Sequence, residues 1–89
     1  MLRKELIVRA KDGLRGDNAE LFTDTAGKFG SRIEIESRGM DKRINAKSVM
    51  GVLSLGIRDG DTIMLVASGD DEQEAVRALA DLVRNGFEY

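Results

Sequence analysis

The apolar residues of this chain switch repeatedly between two spacings, and that alternation restricts the fold more than any single residue does. Between Leu2 and Ala10, Leu6 and Val8 alternate with Glu5, Ile7 and Arg9, the period of a strand with one buried face. Lys11-Asp12-Gly13 follows with an Asp-Gly turn signal. From Asp17 the spacing becomes three and four. Leu21, Phe22, Thr25, Ala26 and Phe29 then form one apolar helical stripe. Asp17 or Asn18 is expected to cap this helix, with Glu20 three residues after Asp17 as in a capping box, and Gly30 to close it. Strict alternation returns in Arg32-Ile33-Glu34-Ile35-Glu36, with Ile33 and Ile35 inward. A hairpin loop over Ser37 to Asp41, containing Gly39, leads to a short strand from Lys42 to Ala46 through Ile44.

The second half repeats the switch. Ser48 opens the segment Val49-Met50-Gly51-Val52-Leu53-Ser54-Leu55, closed by Gly56, which reads as a short and partly exposed helix. Asp59-Gly60-Asp61 is a turn, and Thr62 to Ala67 is the last strand. A helix from Asp71 to Arg84 carries Ala75, Leu79, Leu82 and Val83 on its apolar face, with Val76 beside them. Asp70, Asp71, Glu72 and Glu74 suit the positive end of its dipole, and Asn85-Gly86 ends it. The order β-α-β-β-α-β-α implies an α+β open-faced sandwich, with a four-stranded, mostly antiparallel sheet covered by helices on one face. Residues 1–89 are expected to form a single domain. At this size about 60–65% of the unfolded surface is buried, so the elements share one core.

Composition narrows the chemistry. There is no cysteine, hence no disulfide or thiolate metal site. There is no histidine, hence no phosphohistidine and no imidazole acid, base or ligand. Fourteen basic and 16 acidic side chains give a net charge of −2, and one Tyr, three Phe and no Trp make a poor base-stacking platform. Direct nucleic-acid binding is not expected. No apolar run approaches a membrane span, and the N-terminus lacks a signal-peptide core. The acidic cluster from Asp70 to Glu74 reads as a solvated helical turn, so no metal and no cofactor are expected.

The run Asn45-Ala46-Lys47-Ser48-Val49-Met50-Gly51-Val52-Leu53-Ser54-Leu55-Gly56 resembles the regulatory-serine segment of the histidine-containing phosphocarrier family (HPr) of the bacterial sugar phosphotransferase system. Ala67-Ser68-Gly69 and the acidic residues after it also match, and the resemblance spans the chain. The departure is local. The family's active loop reads Gly-(Ile/Leu)-His-Ala-Arg-Pro-Ala, and here the stretch is Gly13-Leu14-Arg15-Gly16-Asp17-Asn18-Ala19. Arg15 stands at the phosphohistidine position and Asp17 at that of the phosphate-binding arginine, while Asn18 replaces the proline. Arginine is always charged and is no nucleophile, and Asp17 repels a phosphate. The loop near Met40-Asp41 is about two residues longer than the family pattern.

The resemblance therefore implies a cytoplasmic, non-enzymatic protein similar to the catabolite-repression branch, which also lacks the carrier histidine. That branch usually keeps the Ala-Arg-Pro run missing here. Ser48 is the candidate site of regulatory phosphorylation. Lys47, Val49, Met50 and Leu53 are candidate partner contacts, with Val52 and Leu55 assigned to the core. The implied partners are an HPr kinase/phosphorylase and a catabolite-control transcriptional repressor. Arg15, Gly16, Asp17 and Asn18 form the degenerate active loop, with no catalytic residue. Three other readings stay open: a phosphocarrier using another residue, a natural or engineered scaffold displaying the Arg15-Gly16-Asp17 tripeptide, and a structural relic.

Overall fold

The computed structural model describes residues 1–37 and 43–88. The elements follow in the order β1 (Leu2–Ile7), α1 (Gly16–Gly27), β2 (Arg32–Ser37), β3 (Arg43–Asn45), α2 (Val49–Ser54), β4 (Thr62–Ser68) and α3 (Glu72–Arg84). The expected hairpin loop beyond Ser37, with Gly39, Met40 and Asp41, and the start of the third strand at Lys42 lie outside the described residues.

The strands pair in the order β1-β4-β2-β3, and every described pairing is antiparallel. Alternation sets the faces. Leu6 is opposite Ile63, Leu65 is opposite Ile35, and Ile35 is opposite Ile44, so one apolar row crosses the sheet. These residues join Phe22 and Ala26 of α1, Val52 of α2, and Leu79 and Val83 of α3 in one hydrophobic cluster. The other face carries charge. Arg3 pairs with Glu36, and Arg43 reaches both Glu36 and Glu34. Val66, in register between Arg3 and Glu34, is buried there.

The first strand ends at Ile7, before the expected Ala10. Val8 still exchanges hydrogen bonds with the Arg58–Asp61 turn, donating to Asp61 O and accepting from Gly60 N–H. The helix limits need larger corrections. Arg15, in extended conformation, is the N-cap of α1, because its carbonyl accepts the first helical bonds, from Asn18 and Ala19. Asp17 is therefore inside the first turn and caps nothing, which also removes Glu20 from a capping box. Asn18 turns its amide back to the Gly13 carbonyl at 2.9 Å. Gly30 does not close the helix either. The helix ends at Gly27 with Lys28 as C-cap, and Gly30 gives its N–H to Asp71. Asp71 is the N-cap residue of α3, but its carboxylate serves that corner and not its own helix.

Candidate functional site

Two short segments hold the candidate residues. In the first, Gly13 has φ +62 and lies so close to the 57–58 backbone that a Cβ would stand 2.3 Å from the Ile57 carbonyl oxygen. Only glycine fits both demands. Leu14 is fully buried and donates its N–H to Ile57 O. With Leu14 pinned inward, Arg15, Gly16 and Asp17 are all exposed. Gly16 and Asp17 already belong to α1, so the tripeptide straddles a helix start. The Arg15 side chain makes no capping bond at this end. A polar cleft of about 600 Å³ lies beside the segment, lined among others by Arg9, Lys11, Asn18 and Arg84.

The second segment is built more tightly. Asn45 Oδ1 accepts from Lys47 N–H and Asn45 O from Ser48 N–H, forming the turn that starts α2. Ser48 is the N-cap, extended, with its Oγ accepting from Gly51 N–H at 3.1 Å. Its hydroxyl proton has no acceptor among the described bonds. Gly51 permits the seat of α2, since a Cβ there would stand 2.6 Å from Ile44 Cγ2 and 3.3 Å from Ser48 Oγ.

Helical spacing then divides the apolar residues. Val52 is fully buried and Leu55 nearly so, whereas Met50 is 79% and Leu53 40% exposed. Met50 and Leu53 stand three residues apart, on one side of the helix beside Ser48. Val49 is half-buried. Lys47, the other expected partner contact, is half-buried, and its Nζ donates to the Phe29 carbonyl at 2.7 Å.

That contact and the Asp71 clamp had no local signal in the sequence. They join residues 18, 40 and 41 positions apart. Asp71 Oδ2 accepts from Gly30 N–H and Oδ1 from Ser31 N–H and Ser31 Oγ–H. The Ser31 hydroxyl, then the Gly30 amide, hold its carboxyl below the usual aspartate range. Glu72 is likewise held low, first by the Gly69 N–H and then by the N-terminal amine at 3.3 Å. No group of His, Cys, Asp or Glu suited to a metal occurs among the described residues. No described hydrogen bond or ion pair joins Arg15 to Ser48.

Known proteins resemble the chain over most of its length. The family described as "PTS HPr component phosphorylation site" matches residues 2–85. The HPr-like protein Crh of Halalkalibacterium halodurans is 48% identical over 79 residues, 89% of this chain and 92% of that one. Crh of Bacillus subtilis is 42% identical over 84 residues, 94% and 96% of the two chains. Among solved structures, HPr-C-His from Thermoanaerobacter tengcongensis superposes with a TM-score of 0.93 at 44% identity, covering 98% of this chain and 96% of its own.

Proposed function

This chain belongs to the HPr family of the phosphotransferase system, and we propose that within it the protein is a regulatory docking module switched at Ser48, not a histidine phosphocarrier. What carries the reading is one juxtaposition. A hydroxyl with an uncommitted proton sits at the start of α2, beside the exposed Met50 and Leu53. The residue at the carrier position, Arg15, has no transferable site. In the proposed reaction Ser48 Oγ bonds to the γ-phosphorus of ATP as the bond to the β–γ bridging oxygen breaks. ADP leaves, and the hydroxyl proton passes to a base of the kinase. The product adds about −1.5 to −2 charges beside an apolar patch.

Adaptable Met50, with Leu53 and Val49, is the proposed contact for a partner that reads that charge. The partners are an HPr kinase/phosphorylase and a catabolite-control repressor, met in the cytoplasm by residues 1–89 acting as one HPr-like domain. The relatives of this family are phosphocarriers or regulatory proteins. Incubation with an HPr kinase and ATP, followed by intact-mass measurement, should add one phosphoryl group to the wild type and none to Ser48→Ala. Absence of phosphate on the wild type, or equal labelling of Ser48→Ala, sinks the reading.

A further inference from the structure

Three consecutive residues at the corner between α1 and β2 are fastened from two directions. Lys47, in the turn before α2, holds the Phe29 carbonyl. Asp71, at the start of α3, holds Gly30 N–H and Ser31 N–H, each at 2.9 Å, and the Ser31 hydroxyl. The approach is close, since a Cβ on Gly69 would fall 2.8 Å from Ser31 Cα.

The two fastenings differ in how well they are matched. The Asp71 carboxylate, an acceptor, meets three donors. The Lys47 ammonium has three donors, and its described partner is one neutral carbonyl. No carboxylate stands within ion-pair distance of it among the described residues. Lys47 is also half-buried, which limits how fully water completes its shell. It is thus a cation with spare capacity, covalently adjacent to the hydroxyl that the proposed function modifies.

We infer that Lys47 is the built-in counter-ion of a phosphate on Ser48, and that its transfer to the phosphate unfastens the Phe29 side of the corner. The inference rests on the reading of Ser48 as a modification site. The flexible four-carbon stem lets the ammonium swing to the neighbouring side chain. Both bonds are charge-assisted through the ammonium, but the phosphate adds the Coulomb attraction of an opposite charge, which the neutral Phe29 carbonyl lacks. After the exchange Phe29 O faces water, and the corner keeps only the Asp71 clamp. The phosphorylation state of α2 is then felt at Gly30 and Ser31, away from the Met50 and Leu53 patch.

The test uses the full chain with phosphoserine installed at position 48 by synthesis, so that it depends on no kinase. Amide hydrogen exchange at Gly30 and Ser31 should be about tenfold faster in the phosphorylated chain than in the unmodified one, as expected for loss of one hydrogen bond to a charged group. Lys47→Met should show a similar acceleration without phosphate and no further acceleration with it. The second ionisation of the phosphate, followed by phosphorus NMR, should occur at lower pH in the wild type than in Lys47→Met. Unchanged exchange on phosphorylation, full acceleration by phosphate in Lys47→Met, or equal ionisation in the two chains overturns the inference. Each of those results leaves the kinase assay on Ser48 standing, and a failed kinase assay leaves this coupling standing.

Discussion

Residues 13–19 and residues 45–56 each lead the chain into a helix, and α1 and α2 pack against each other, yet the two helix starts are finished differently. At α2 a serine hydroxyl closes the cap, a glycine makes room for the seat on Ile44, and exposed apolar residues stand alongside. At α1 the cap position holds Arg15, whose side chain makes no capping bond, and Asp17 adds negative charge in the first turn. The α2 start presents a hydroxyl on a fixed support. The α1 start presents fixed charges on an exposed turn. Two helix starts on one scaffold thus offer different chemistry, because the side chains at each are set residue by residue.

The largest expected effect is all or none. Kinase labelling should vanish in Ser48→Ala, while Arg15→Ala should be labelled as the wild type is. Loss of labelling in Arg15→Ala would show that the α1 start belongs to the same functional unit, and the contrast would fail. The reciprocal experiment puts the carrier chemistry back. With phosphoenolpyruvate and the first enzyme of the phosphotransferase system, the wild type should take up no phosphoryl group. Arg15→His should take up little, because Asp17 still opposes the charge, and Arg15→His with Asp17→Arg clearly more. Equal labelling of the single and double variants would show that Asp17 does not matter.

Effects on stability separate the same two sites on a smaller scale. Gly51→Ala drives a Cβ into the stiff, branched Ile44 side chain and should cost about 1–3 kcal/mol in urea unfolding, as overpacking does. Ile44→Ala in the same chain should recover part of that loss. Gly16→Ala meets no atom of the described residues within 4 Å and strains only the backbone, at φ +54, so roughly 1 kcal/mol is expected. Equal costs at the two glycines would remove the distinction between a packed seat and an exposed turn.

This contrast also marks what the residues disclosed in advance. Strict alternation in Arg32–Glu36 and helical spacing in Val49–Leu55 fix which side chains face the core. Val52 and Leu55 are buried and Met50 and Leu53 exposed, as the family resemblance leads one to expect, whereas Val49, expected in the same exposed patch, is half-buried. Ser48 as the residue that opens α2 was legible too, because a helix start of this kind is decided within four residues. Asp17 and Gly30 were misassigned by the same local rules. Their outcome depends on where Leu14 is pinned and where Asp71 reaches. Lys47 and Asp71 carry no local sign of their partners, since a bond across 18 or 40 residues exists only once the sheet has formed.

The smallest effect is a pH dependence confined to one side of the comparison. Asp71 and Glu72 both have carboxyls held below their ordinary values by hydrogen bonds that need the charged form. A depressed folded value means that the contribution is fully present above the unfolded value, about 4, and is lost as pH falls through the lower folded one. Both groups are solvent-accessible, so the effect is screened and small. Acidification below about pH 4 should therefore shift the Gly30 and Ser31 amide resonances and lower their protection relative to the unprotected rate at each pH before it unfolds the chain. The Arg15 and Gly16 amides should not follow the same curve, because no described bond ties them to either carboxylate. Ser31→Ala removes the first cause of the Asp71 depression and should move the Gly30 transition to higher pH. Should all four amides titrate together, or the Gly30 transition stay in place in Ser31→Ala, the corner would not be an independent fastening. The α1 and α2 starts would then be joined through the fold as a whole.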